Sequence, residues 1–383
     1  MLCGLPSLSD QLHITKATLS SILYYITGHG YGHAVRSHQV IRALASARPD
    51  LSLHVRTTAP DWLFGNSPTP VVYSRQSIDV GIVQRDSLRI ELAETLEASR
   101  QLHDHSPEII ERELTYIKAN DIRLLVGDTP PLCFEIAERA ALPSVSITNF
   151  TWDVIYQTYL AEHPAFAPLI DEMTAFYGKA SLALTLPYPC DTSMFPRRQE
   201  IPWIARCSSL SKAAARAKFD LPQSATIVVL SFGGLGLDRM PWERLKRQQE
   251  FLFVTTGDAK KSDGNIVVLP DTQSQYEDLV RAGNAIVTKP GYGIVADVLA
   301  HQLPILYTDR GEFPEYPRLV EALRACATSE FIPQNELLAG NLAPYLSRLL
   351  TKKTNWPAVD LGGAKIAAGK VLDLLSHGPP RHS

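Results

Sequence analysis

Residues 21–34, with the sequence SILYYITGHGYGHA, place the strongest constraint on how this chain folds. A short apolar run breaks into alternating glycines, and residues 33–47 then carry apolar side chains at helical spacing. Glycine lets the backbone approach a ligand closely, and the unpaired N–H groups at a helix start carry partial positive charge. The stretch therefore predicts a buried strand, a loop that binds a polar or anionic ligand, and a helix. The loop residues are Gly28, His29, Gly30, Tyr31, Gly32 and His33.

Two further glycine loops follow apolar runs, at residues 231–236 (SFGGLG) and 288–297 (TKPGYGIVAD). In both halves of the chain, short runs that are apolar along their whole length alternate with helical patterns. This alternation is typical of parallel sheets covered by helices on both faces, which bind ligands beyond the carboxyl ends of their strands. We predict an α/β protein of two Rossmann-like, doubly wound parallel-sheet domains that face each other across a cleft.

The length of 383 residues, about twice that of an ordinary domain, also favours two domains. A proline-rich stretch without periodicity, residues 188–210, is the predicted linker. A small-residue helix in the tail is expected to return to the first domain, and residues 334–350 are expected to form one long helix. The predicted parts are an N-terminal extension (1–20), a first Rossmann-like domain (21–187), the linker (188–210), a second Rossmann-like domain (211–356) and the tail (357–383).

The composition excludes several classes of protein. With 45% hydrophobic residues, 20% charged residues and a net charge of −3, the chain is globular and gives no reason to expect a nucleic-acid partner. Five scattered cysteines favour reduced thiols in a cytoplasmic protein over disulfides or a zinc site. We find no apolar run of about 20 residues and no secretory signal at the start, so we expect no transmembrane segment, although peripheral membrane contact stays open.

The first glycine loop is neither a dinucleotide fingerprint nor a phosphate loop. His33 stands in place of the third glycine, the second strand ends without an acidic residue, and no Lys-Ser/Thr pair follows. His33 at a helix start favours a neutral imidazole that acts as a general base, or a histidine that only caps the helix. Asp128, Asn149 and Asp153 follow other strands and are expected to rim the same crevice on the acceptor side. Asp153 either orients His33 or the acceptor hydroxyl, or is an ordinary cap or surface charge.

The second and third loops are predicted to hold a diphosphate on backbone N–H groups. Asp297, one turn into the helix after the third loop, is placed to accept hydrogen bonds from a ribose diol, or only complements the helix dipole. The predicted donor-binding residues in these loops are Ser231, Gly233, Gly234, Lys289, Gly291, Tyr292, Gly293 and Asp297.

The chain resembles glycosyltransferases of the GT-B fold. The likeness extends to the inverting N-acetylglucosaminyltransferase of peptidoglycan lipid synthesis and, more fully, to the glycosyltransferase-like N-terminal half of plant-type L-arabinokinases. The resemblance implies that His33 deprotonates the acceptor, that Asp297 takes the place of a ribose-binding glutamate, and that Glu315 with Arg310 faces the donor sugar. The stretches that carry it are residues 24–36, 148–156, 232–234, 291–297 and 310–317.

These observations lead to one functional interpretation. We expect a cytoplasmic, inverting glycosyltransferase that moves a sugar from a nucleotide-diphosphate sugar, such as a UDP-sugar, to a small-molecule or lipid-linked acceptor. No Asp-x-Asp motif is present, so helix N-termini with Lys289 or Arg310 are expected to replace a metal, and no cofactor is expected. A nucleotide-sugar epimerase of the same fold and a non-catalytic nucleotide-sugar-binding module stay open as alternatives.

Overall fold

The computed structural model describes residues 20–65, 67–86, 89–232, 240–257, 259–270, 275–353 and 356–377. Within these residues the first half contains nine strands: β1 Ser21–Ile26, β2 Ser52–Thr57, β3 Val71–Arg75, β4 Gln84–Asp86, β5 Arg89–Ile90, β6 Ile122–Asp128, β7 Ser144–Thr148, β8 Leu182–Thr185 and β9 Arg198–Glu200. Seven of them form a parallel sheet in the order β3-β2-β1-β6-β7-β8-β9, and β4 pairs with β5 in a small antiparallel hairpin.

Helices cover both faces of this first sheet. The α-helices are α1 Tyr31–Ala47, α2 Leu92–Asp104, α3 Ser106–Ala119, α4 Leu132–Arg139, α5 Trp152–Gln157 and α6 Ala167–Tyr177, with 3-10 turns at Asp61–Phe64 and Pro164–Phe166. Strand β1 shows why both faces are covered, since its alternate side chains enter different apolar cores. Tyr24 packs with the core under α1, whereas Tyr25 packs with the core under α3 and α4. Each such buried side chain contributes about 1.5–3 kcal/mol.

The second half repeats this arrangement. Its strands are β10 Ile227–Ser231, β11 Leu252–Gly257, β12 Lys261–Asp263, β13 Ile266–Pro270, β14 Ala285–Thr288, β15 Ile305–Tyr307 and β16 Ser329–Phe331. They form a sheet in the order β12-β13-β11-β10-β14-β15-β16, parallel except for β12. Its helices are α7 Lys212–Lys218, α8 Trp242–Leu245, α9 Tyr276–Ala282, α10 Tyr292–His301, α11 Glu315–Cys326, α12 Gln334–Ala339 and α13 Ala343–Thr351. The predicted fold class is confirmed.

A last helix, α14 Gly363–His377, lies against α1 of the first half, and its Ala367 and Val371 share the core beneath α1. The segment before it is fixed by hydrogen bonds from the Trp203 N–H to the Asp360 carbonyl and from the Gly363 N–H to the Trp203 carbonyl, both 3.1 Å. The predicted linker contains β9, which completes the edge of the first sheet. Residues 1–19 of the predicted extension lie outside the described residues.

The helix expected at residues 334–350 is two helices, α12 and α13. Gly340 ends α12 in the left-handed conformation, with φ at 76°. A Cβ at this position would meet the Cβ of Arg244 at 2.7 Å, so the close approach requires glycine. None of the described helices combines the length and the apolar character that a membrane crossing requires.

Candidate active site between the two sheets

A cavity of about 820 Å³ lies between the two sheets, lined by loops that follow the strands. The loop after β1 and one face of α1 line one side, and the segments after β10, β14 and β15 line the other. Twelve of the residues predicted from the sequence line this cavity: His29, Gly30, Tyr31, Gly32, His33, Ser231, Lys289, Gly291, Tyr292, Gly293, Arg310 and Glu315.

Other predicted residues lie outside the lining of the cavity. Gly233 and Gly234 fall outside the described residues, so their predicted contact with the diphosphate stays a prediction. The remaining members lie behind the cavity wall: Gly28, Asp128, Asn149, Asp153 and Asp297. Three of these polar side chains nevertheless contact residues that line the cavity.

His33 forms the centre of the first wall. It is 7% exposed, and its Nδ1 lies 2.8 Å from Oδ1 of Asp128. Nδ1 also lies 3.0 Å from Arg36 Nη2 and 3.1 Å from the Thr129 hydroxyl. In the tautomer that donates from Nδ1 to the ionised carboxylate, the lone pair is on Nε2, which can then accept a proton. The ring edge packs against Phe150 at 5.3 Å between centroids, which restricts its orientation.

Asp128 is fully buried and receives hydrogen bonds from several side chains. Burial by itself raises the pKa of this carboxyl, but the positive charge of Arg36 and the contact with His33 outweigh burial and hold the pKa well below its usual range. Oδ2 accepts from Arg36 Nε at 2.8 Å and from the Ser37 hydroxyl at 2.6 Å, and Thr129 donates to Oδ1 at 3.2 Å. Asp128 thus orients His33 from behind, and its contact with an acceptor stays a prediction.

Arg36 is the principal residue that sequence reasoning did not identify. It is 2% exposed, donates to both oxygens of Asp128 and, through Nη1, to Asn149 Oδ1 at 2.6 Å. Its guanidinium also lies 5.4 Å from the centre of the Tyr292 ring in the second half. The signal was present, since residue 36 lies three positions after His33 and therefore on the same face of α1.

Asp153 does not contact His33. Its carboxylate accepts from the Thr174 hydroxyl at 2.8 Å, and burial raises the pKa of this group. The structure gives the orienting position to Asp128 because β6 lies next to β1 in the sheet, with Asp128 opposite Ile26. A catalytic role of Asp153 stays a prediction.

A buried hydrogen-bond chain joins the two halves at the rear of the cavity. Asn149 donates to Glu315 Oε1 at 2.7 Å, and Arg310 donates to the other oxygen of Glu315. Glu315 is only 3% exposed, so both of its oxygens are held by protein groups. Phe313 adds apolar contact between the halves, with its ring 5.8 Å from that of Phe150.

The N-termini of two helices meet at the cavity. Helix α10 follows Gly291, which has an extended conformation and leaves open space where a Cβ would lie. A Cβ on Gly293 would lie 3.5 Å from the Cα of Gly32 in α1, so the two backbones are close. Because the N-terminus of a helix attracts anions, and Lys289 and Arg310 line the same region, this part of the cavity suits a phosphate group.

Asp297 does not face this region. It is 1% exposed and accepts hydrogen bonds from the backbone N–H of Arg206 at 3.0 Å and from Arg206 Nε at 2.9 Å, with a second guanidinium contact to the same oxygen. The carboxylate is therefore occupied by a protein cation. Binding of a ribose diol by Asp297 stays a prediction.

His29 lies close to His33, but its ring is packed against aromatic side chains. Burial, followed by the charge of Arg310, holds the pKa of His29 well below its usual range. The ring contacts Trp152 edge to face at 5.2 Å and is parallel to Phe313 at 6.2 Å, and its Nδ1 lies 3.1 Å from the Ile82 carbonyl oxygen. A neutral His29 donates this hydrogen bond from Nδ1.

Comparison with known proteins follows this geometry. Residues 20–190 match the family described as Glycosyl transferase family 1. The L-arabinokinase of Arabidopsis thaliana is 28% identical over 353 residues, which cover 90% of this chain and 33% of the relative. CalG4, the calicheamicin glycosyltransferase, superposes with a TM-score of 0.62 at 15% identity, covering 94% of this chain and all of CalG4. A UDP-glucosyltransferase from Polygonum tinctorium superposes with a TM-score of 0.59 at 13% identity, with 94% of each chain covered.

The chain has the GT-B fold of these solved glycosyltransferases, and residues 20–190 match the model of glycosyl transferase family 1. Among curated proteins, it resembles L-arabinokinase and spans about a third of the length of that relative. The resemblance inferred from the sequence is therefore confirmed.

Proposed function

We propose that this chain transfers a sugar from a nucleotide-diphosphate sugar to an acceptor hydroxyl, with inversion at the anomeric carbon and without a metal or another cofactor. The observation that carries the proposal is the position of His33, with Asp128 bonded behind it, on one wall of a cavity whose other wall contains the N-terminus of α10. A proton acceptor and an anion-binding helix start thus share a single space. Two related folds were solved as a UDP-glucosyltransferase and as a complex with UDP-2fluoro-glucose, which supports a UDP-sugar donor.

In the proposed reaction the acceptor hydroxyl binds beside His33. Nε2 removes the hydroxyl proton as the acceptor oxygen forms its bond to the anomeric carbon, and the bond from that carbon to the diphosphate oxygen breaks. Asp128 stabilises the imidazolium that forms, since its ionised carboxylate lies 2.8 Å from Nδ1. General base catalysis of this kind contributes about 10²–10⁴ in rate.

The departing diphosphate takes the bonding electron pair and its negative charge. The N–H groups at the start of α10 stabilise that charge, and the Lys289 and Arg310 cations lie in the same lining. These groups take the place of a metal ion in the proposal. The acceptor-binding unit is residues 21–187 and the donor-binding unit is residues 211–356.

We also propose a cytoplasmic location and a small-molecule or lipid-linked acceptor. The location rests on cysteine chemistry, because Cys133, Cys190, Cys207 and Cys326 form no disulfide in the described part of the chain. The acceptor class rests on the cavity, whose volume of about 820 Å³ fits a small molecule or the head of a lipid-linked one.

The test begins with a thermal-shift screen of uridine, guanosine, thymidine and adenosine diphosphates and their sugars. A ligand at 100 times its Kd adds about 2.7 kcal/mol of apparent stability, which gives a clear shift. The best donor is then incubated with an acceptor panel, and NMR assigns the anomeric configuration of the product. His33→Gln is expected to lower the rate of product formation by about 10²–10⁴, whereas the exposed control His103→Gln retains the wild-type rate. Binding without turnover over the whole panel, or conversion of the donor alone to an epimer, would refute the transferase proposal.

A further inference from the structure

The acid expected to hold the donor ribose is already engaged elsewhere. Asp297 accepts three hydrogen bonds from Arg206, one to Oδ1 and two to Oδ2, and it does not line the cavity. These bonds fix the segment between the two sheets onto α10. Asp297 is therefore already paired with a buried guanidinium, whereas other acids line the cavity directly.

The acids that do line the cavity differ in their partners. Within the described residues these acids are Glu277, Asp278 and Glu315. Asp278 accepts from the Ser208 hydroxyl at 2.5 Å and from Lys218 at 2.6 Å, and Glu315 accepts from Asn149 and Arg310. Glu277 is bonded by its own backbone N–H, and no side chain in the described part donates a hydrogen bond to it.

Glu277 lies in the part of the cavity that is close to Asp297 and Arg206. It opens the first turn of α9, next to Tyr276, whose hydroxyl donates to Ser231 Oγ at 2.5 Å at the end of β10. The Arg206 guanidinium that holds Asp297 lies 4.8 Å from the centre of the Tyr276 ring. Glu277 therefore lies beside the position of Asp297 but faces the cavity, which continues from there to the N-terminus of α10.

The electrostatics of Glu277 favour a hydroxyl-bearing ligand. Burial, with added repulsion from Asp297 and Asp278, raises the pKa of this carboxyl, while its own backbone N–H and Arg206 lower it. A half-buried carboxylate in this setting is stabilised by hydrogen-bond donors, and the two hydroxyls of a vicinal diol supply a pair at matched spacing. A nucleoside that lacks one of them supplies only one donor.

We propose that Glu277, in place of Asp297, binds the ribose 2′ and 3′ hydroxyls of the donor, so that the site takes ribonucleoside diphosphates and disfavours 2′-deoxyribonucleotides. This inference rests on the proposed function, since it concerns the donor of that reaction. It narrows the donor class to nucleotides with an intact ribose diol, which disfavours thymidine diphosphate sugars.

The test measures affinity by calorimetry for UDP, GDP, CDP and ADP and their 2′-deoxy counterparts. The wild type is expected to bind the best ribonucleotide at least about 10-fold more tightly than its 2′-deoxy form. Glu277→Gln is expected to weaken ribonucleotide binding by about 10-fold or more and to bring the ratio of the two affinities close to one. Glu321→Gln, a surface acid paired with Arg318, is the control and should keep both affinities.

Asp297→Asn separates the two candidate acids. It is expected to lower the melting temperature, because it weakens the pairing with Arg206, and to keep the preference for ribose. The inference is overturned if Asp297→Asn removes that preference while Glu277→Gln retains it, or if the wild type does not distinguish the two sugars. Failure of the proposed function has a different signature, since the wild type would then bind none of the nucleoside diphosphates.

Discussion

Substitution of Asp128 by Asn tests the electrostatic basis of the site most directly. The change keeps the shape of the side chain but leaves the buried Arg36 guanidinium without the carboxylate that accepts from its Nε and Nη2. Removing one partner of a buried ion pair costs about 3–5 kcal/mol. Asn149 still accepts from Arg36, and Glu315 remains near enough to act on its charge, so we expect a value close to 3 kcal/mol.

The measurement is urea unfolding of four proteins: wild type, Asp128→Asn, Arg36→Met and the double variant. Each single variant leaves one buried group uncompensated, whereas the double variant leaves neither charge. We therefore expect the double variant to be more stable than the sum of the two single losses predicts, by about 0.5–3 kcal/mol. Additive losses, or an Asp128→Asn protein as stable as wild type, would refute the argument that Arg36 and Asp128 neutralise each other's buried charge.

The pH dependence gives an independent check. The folded state holds the pKa of Asp128 below its ordinary value, so the carboxylate contributes stability above the unfolded pKa near 3.8 and loses it as the pH falls further. The difference in free energy of unfolding between wild type and Asp128→Asn should therefore not shrink between pH 8 and about pH 5. It should shrink only in more acidic solution. A difference that disappears near pH 6 would assign the effect to another group.

Three further predictions follow from the same geometry. His33→Gln should lower kcat by about 10²–10⁴ with little change in donor affinity or melting temperature, and an unchanged kcat would exclude the general-base role. The buried Nε2 of His38 has no partner among the described residues, and burial, followed by nearby arginines, lowers the pKa of His38 to about 4. The unfolded chain therefore binds a proton more readily, and the fold loses stability as the pH drops from 6.5 to 4. His38→Phe, which keeps the contact with Phe64, should reduce this pH dependence of the melting temperature. Lys289→Ala should weaken binding of nucleoside diphosphates but not of nucleosides in calorimetry, and EDTA should leave the transfer rate unchanged; equal weakening of both ligands, or loss of activity in EDTA, would contradict the proposed metal-free diphosphate site.

Much of the fold was predictable because its signals are local. The apolar run before Gly28 indicated a strand buried on both faces, and the glycine alternation marked the loop and the start of α1. The break at Gly340 was missed because the apolar periodicity continues through it, and only the packing of Arg244 against that turn shows why glycine ends the helix. Local periodicity reports which faces are buried, but not where a turn meets a distant side chain.

The sequence by itself determined that His33 stands at a helix start after a buried strand, and that the third glycine loop precedes α10. Tertiary structure alone decided which side chain each buried carboxylate pairs with. His33 takes Asp128, 95 residues away, because β6 lies beside β1, and Asp297 is taken by Arg206, 91 residues away, because the connecting segment crosses α10. The reason is physical: the strength of a charge pair depends on distance and burial in the folded chain, and separation along the sequence determines neither.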